Sequence, residues 1–130
     1  MSTVDYDYKG LVSKLEDKEG IVFLDFWASW CGPCKAFAPI YEKVSEEHDD
    51  ITFGKVNTEQ EQELAAGFGI RSIPTLMVFR DGVLLFRQPG MLPEEALEDL
   101  VRQVRALDMD EVRKEIAEQE AAEQSGPQSA

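Results

Sequence analysis

Residues 21–35 read IVFLDFWASWCGPCK, an apolar run that leads into two closely spaced cysteines. From Ile21 to Ala28 the residues are apolar and rich in β-branched and aromatic types. Such a run reads as a strand buried on both faces, as in a parallel sheet. Beyond the cysteines, Phe37, Ile40, Tyr41 and Val44 recur at i, i+3, i+4 and i+7, the inner face of a helix. Pro39 falls inside that helix, where it removes one hydrogen bond and is expected to kink the axis. The chain's two cysteines, Cys31 and Cys34, therefore stand where a buried strand hands over to a helix.

Upstream, residues 8–18 place Leu11, Val12 and Leu15 at helical spacing, with Gly20 just beyond. Before them, Thr3 and Val4 could form only a stub of strand. Downstream, residues 51–57 (ITFGKVN) read as a second strand. Thr58 with Glu61 resembles a capping box that opens a short helix ending near Gly67 and Gly69. Thr75–Phe79 and Val83–Gln88 are apolar runs joined by Asp81-Gly82, a strong hairpin signal. A last helix, from Pro93 to about Ala106, has Pro at its first position and buries Leu97, Leu100, Val101 and Val104. The order β-α-β-α-β-β-α makes an α/β domain. Strands joined through a helix run parallel and those of the hairpin antiparallel, so the sheet is mixed, with helices on both faces.

From Asp108 the character changes. Asp108 and Glu111 look like another helix start, but only Val112 and Ile116 supply an apolar stripe. Residues 108–130 carry seven acids and two bases, a local charge of −5, and the closing QSGPQSA reads as disordered. The expected division is a domain over 1–107 and an acidic, partly helical extension over 108–130. The whole chain carries a net charge of −13, which argues against nucleic acid or an anionic membrane surface as partner. Its longest strongly apolar stretch, Ile21 to Trp30, is interrupted by Asp25 and falls short of the ~20 residues of a membrane span. Met1-Ser2-Thr3-Val4-Asp5 has no basic start, apolar middle or cleavage site, so a cytoplasmic location is expected.

Two cysteines three positions apart cannot staple distant parts of a chain, and their disulfide closes too small a loop to stabilise much. Redox or metal chemistry remains. A structural zinc site needs four ligands, and here there are two cysteines and one histidine, His48, which reads as an exposed helix-end residue. No metal is therefore expected. Redox chemistry suits the position, because unpaired N–H groups and the dipole at a helix start favour an anion, and the thiolate is the attacking form. Cys31 at the helix mouth is the expected nucleophile. Cys34, one turn further in, should be more buried and resolve the mixed disulfide.

Three other residues draw notice. Asp25 lies in the most apolar strand, where burial should raise its pKa. The residues alone leave open whether it is a satisfied buried group or a proton exchanger for Cys34. Lys55 reads by itself as a solvated edge residue. Pro74 after Ile73 cannot donate to a ladder and signals a special turn, in trans by default.

DFWASWCGPCK at 25–35, IRSIPT at 70–75 and DG at 81–82 closely resemble the thioredoxin family, and the similarity runs from about residue 8 to 107. The resemblance implies the thioredoxin fold and a protein disulfide reductase whose only redox group is the Cys31–Cys34 disulfide, with no other cofactor. It implies that Gly32-Pro33 favours the reducing role over oxidase or isomerase work. It assigns proton exchange to Asp25 and a tuning role to Lys55. It also implies a cis Ile73–Pro74 bond, with the Ile73 backbone free to pair with a target segment. Trp30, Gly32, Pro33, Gly90 and Met91 would complete an apolar docking surface, and Trp27 would support the core. The implied partners are a thioredoxin reductase and disulfide-containing proteins, with the chain itself a monomer. Two features depart from the family pattern: a shortened or missing N-terminal strand and the acidic tail. A redox-idle binding subunit or holdase on the same fold is the alternative function.

Overall fold

The computed structural model describes residues 2–125. The elements are β1 (Thr3–Asp5), α1 (Tyr8–Glu16), β2 (Ile21–Trp27), α2 (Gly32–Glu47), β3 (Thr52–Asn57), α3 (Gln62–Gly67), β4 (Thr75–Arg80), β5 (Val83–Pro89), α4 (Glu94–Ala106) and α5 (Met109–Ser125). The sheet runs β1-β3-β2-β4-β5. β3 lies parallel to both β1 and β2, while β4 is antiparallel to β2 and to β5. This is the expected mixed sheet, and the N-terminal stub is a real, three-residue edge strand.

Side chains alternate across β2 and fill two cores. On one face Phe23 joins Phe37, Tyr41 and Val44 of α2, Phe53 of β3 and Leu97, Val101 and Val104 of α4. On the other, Val22, Leu24 and Phe26 meet Leu11 of α1, Leu64 of α3 and Met77 of β4. Tyr41 sits edge-on to Phe53 with centroids 5.3 Å apart, and Phe23 lies 5.0 Å from Phe53. Each such buried ring contributes about 1.5–3 kcal/mol of transfer free energy. The Tyr41 hydroxyl donates to Gly54 O at 2.8 Å, so its burial leaves no orphan.

Several local expectations are corrected. α1 starts one residue after its cap, Asp7, whose side chain accepts from Gly10 N, and it ends at Glu16 rather than residue 18. Leu11 is buried, whereas Val12 is exposed and Leu15 only half-buried, because a helix of nine residues offers the sheet a narrow stripe. Thr58 does not cap α3. Its amide and hydroxyl both donate to Trp27 O, at 2.8 and 3.1 Å, and the helix begins only at Gln62. Pro93 is the residue before α4, not its first. α2 runs through Pro39 without interruption. His48 is not exposed but half-buried, against α4.

The extension is helical through Ser125, so the residues Gln124 and Ser125 expected to be disordered belong to α5; 126–130 lie outside the described residues. Asp108 caps α5 by accepting from the amides of Asp110 and Glu111, and Met109 is buried. Arg80 ties the end of β4 to this corner, donating to Val104 O at 2.8 Å and Leu107 O at 2.9 Å. Among the described residues no helix is long and apolar enough to cross a membrane.

Candidate active site

Register brings four connections to one end of the sheet. Trp27 pairs with Asn57, Phe26 with Thr75, and Thr75 with Pro89. The ends of β2, β3 and β5 and the start of β4 therefore coincide. Their flanking segments are the turn 28–31, the loop 58–61, Ile73-Pro74, and Gly90-Met91.

In the turn, Cys31 N donates to Ala28 O at 3.3 Å, and Cys31 then becomes the N-cap of α2. Its sulfur plays the part a serine oxygen usually plays: Cys34 N donates to Cys31 Sγ at 3.2 Å. Pro33 occupies the first turn, where its missing N–H costs nothing. Cys31 and Cys34 form a disulfide across Cα atoms 5.2 Å apart. The expected contrast in burial is absent, since the two residues are 4% and 3% exposed. In the oxidised state both sulfurs lie among Ala28, Trp27 and Ile73. Around them, Gly32, Pro33, Gly90 and Met91 are exposed, and Trp30 is 69% exposed, rare for so large an apolar ring.

The Ile73–Pro74 bond is cis, as the resemblance implies. Pro74 is buried, and its carbonyl accepts from Gly90 N at 2.8 Å. Gly90 has φ +93°, open to glycine and strained for other residues. Ile73 O lies 3.6 Å from Cys31 Sγ, so a backbone acceptor borders the sulfur.

Asp25 is 1% exposed, and neither of its oxygens has a hydrogen-bond partner among the described residues. It shares the α2 face of the sheet with Phe23. Burial raises its pKa to about 7, and the Lys55 ammonium holds it from rising further. Lys55 is the register partner of Asp25 and is only half-buried, its Nζ 4.8 Å from the Trp27 ring centroid. Lys55 is thus no plain edge residue: β1 covers that flank of β3. Trp27 is half-buried, and its Nε1 is an unpartnered buried donor among the described residues.

One pairing lies beyond the reach of sequence reading. Ser29 N and Ser29 Oγ both donate to Glu59 Oε1, at 3.0 and 2.8 Å. No spacing rule links residues thirty positions apart. Only the Trp27–Asn57 register puts the two turns side by side. At the opposite end of α2, Glu47, His48 and Glu98 gather oxygen and nitrogen atoms within 4.8 Å. Arg105, a donor only, binds His48 Nδ1 at 3.0 Å. That leaves Nε2 as the donor toward Glu98 Oε2 at 3.1 Å, a hydrogen-bonded link between the end of α2 and α4.

A family model described as Thioredoxin matches residues 2–103. The putative thioredoxin 2 of Streptomyces coelicolor is 56% identical over 120 residues, which cover 92% of this chain and 89% of that protein. The thioredoxin of Bacillus subtilis is 45% identical over 87 residues, 66% of this chain and 84% of that one. Among solved structures, a mutant thioredoxin from Halobacterium salinarum superposes with a TM-score of 0.74 at 30% identity, over 82% of this chain and 94% of the other. A redox-active cystine at the mouth of α2, on a sheet of this topology, defines a dithiol–disulfide oxidoreductase. The chain belongs to the thioredoxin family. Its activity is protein disulfide reduction, and the redox group is the disulfide itself.

Proposed function

We propose that Cys31 is the attacking sulfur and Cys34 the resolving one. The Cys31 thiolate attacks a target disulfide, its S–S bond breaks, and one target sulfur leaves as a thiolate. Cys34 passes its proton to the Asp25 carboxylate and attacks Cys31 Sγ. The Cys31–Cys34 bond forms, and the second target sulfur leaves as a thiolate that takes up a proton. Two electrons have passed from the cysteine pair to the target. The observation that carries this reading is the Cys34 N–H aimed at Cys31 Sγ at 3.2 Å, a donor placed to hold negative charge on that sulfur.

Lys55 moderates Asp25, since its charge opposes the rise that burial imposes. An extended target segment lies along Ile73, whose carbonyl borders Cys31, while Trp30, Gly32, Pro33, Pro74, Gly90 and Met91 form the apolar ground it rests on. A thioredoxin reductase returns two electrons to the disulfide. A reducing cycle of this kind suits the cytoplasm, where thiols are kept reduced. Residues 1–107 form the catalytic unit and 108–130 an acidic appendage.

Trapping tests the assignment. Cys34→Ser is expected to accumulate mixed disulfides through Cys31, separable without reductant and identifiable by mass. Equal accumulation with Cys31→Ser, or none with Cys34→Ser, would reverse or remove the roles.

A further inference from the structure

We propose that Glu59 is a positioning residue: by holding the Ser29-Trp30 turn it presents Trp30 to protein targets. The proposal rests on the reading of Trp30 as docking surface. The geometry is specific. Ala28–Cys31 is a tight turn closed by Cys31 N on Ala28 O, and Ser29 and Trp30 are its two central residues. Trp30 is 69% exposed, so its direction follows from the turn beneath it rather than from packing.

The turn is gripped from the neighbouring loop. A single oxygen, Glu59 Oε1, accepts from both the backbone and the hydroxyl of Ser29, at 3.0 and 2.8 Å. Those two bonds lower the Glu59 pKa, which keeps the carboxylate charged and the bonds charge-assisted. Glu59 is in turn fixed to the sheet. Its amide donates to Asn57 Oδ1 at 2.9 Å, and Thr58 binds Trp27 O through its amide and its hydroxyl. The clamp therefore runs from β3, through residues 57–59, to the residue beside Trp30. It touches neither sulfur, so its effect belongs to docking rather than to the exchange of electrons. A target with a surface to bind feels it, and the chemical step does not.

Steady-state reduction of a protein disulfide such as insulin, by the full chain, separates the possibilities. Glu59→Ala is expected to raise KM about three- to tenfold, the loss of one or two hydrogen bonds, with kcat little changed. Glu59→Gln keeps an oxygen that can accept both Ser29 bonds and should restore KM. Trp30→Ala should raise KM by itself, and adding Glu59→Ala to it should raise it no further. An unchanged KM in Glu59→Ala while Trp30→Ala raises it would overturn the clamp and leave the docking surface standing. An unchanged KM in Trp30→Ala would remove the docking role of Trp30 and the proposal with it. A Glu59→Gln as impaired as Glu59→Ala, or a fall in kcat with KM intact, would also overturn it.

Discussion

An anion needs donors, and Cys31 and Asp25 differ in having one. Cys31 has one in Cys34 N, together with the open end of α2, so its thiolate is favoured. Iodoacetamide alkylation of the reduced protein across a pH series should therefore place the Cys31 midpoint below the ~8.5 of a free thiol. Asp25 has no donor among the described residues, and burial raises its pKa to about 7 from 3.8. The folded chain therefore keeps this proton over an interval in which the unfolded chain releases it. Stability should fall as pH rises from about 4 to about 7 and then level off. Asp25→Asn removes that penalty, with a gain of up to about 4 kcal/mol at pH 8 and almost none at pH 4. Denaturant titrations at the two pH values measure the difference. On the proposed mechanism the same variant should turn over protein disulfides about tenfold or more slowly, because the group proposed to take the Cys34 proton is gone. Wild-type turnover should also decline as pH drops through 7, where Asp25 becomes protonated. The residue types and their places were legible in the sequence. The equal burial of the two sulfurs was not, since it depends on Ala28, Trp27 and Ile73 closing over both.

Elements were legible where the signal is local. Asp81-Gly82 marks the hairpin because both residues adopt positive φ, 52° and 84°, which few residues tolerate. The stripe Leu97, Leu100, Val101 and Val104 is buried as its spacing predicts. Local signals misled where a side chain found a partner in another element. Thr58 has the composition of a cap, yet its hydroxyl donates to Trp27 O in the next strand. Gly54 shows the same dependence on neighbours. A Cβ there would fall 2.7 Å from the Tyr6 ring and 2.8 Å from Leu24. Gly54→Ala is expected to cost about 1–3 kcal/mol through this overpacking, read as a lower denaturation midpoint with an unchanged m-value. A strand glycine hints at close approach, but only the packing of Tyr6 over β3 says what approaches.

At the scale of the whole molecule, the cystine and the acidic extension lie at opposite ends of the sheet. Ile21 pairs with Arg80 at the end remote from Trp27, and there Asp81 binds Gly20 while Arg113 of α5 comes within 3.8 Å of Asp81. A chain ended at Leu107 should reduce insulin at the full-length rate within about twofold, because distant sites contribute independently. It should lose about 1–2 kcal/mol with the burial of Met109, seen as a lower denaturation midpoint. Redox chemistry, the α/β order and the faces of the long helices can be read along the chain. Cysteine spacing and hydrophobic period are properties of neighbours along the chain. Which loops meet at the sulfurs, which turn Glu59 grips and where the extension docks emerge from long-range packing alone. Those depend on strand register, and register is set by how two cores pack against one sheet rather than by any short stretch of residues.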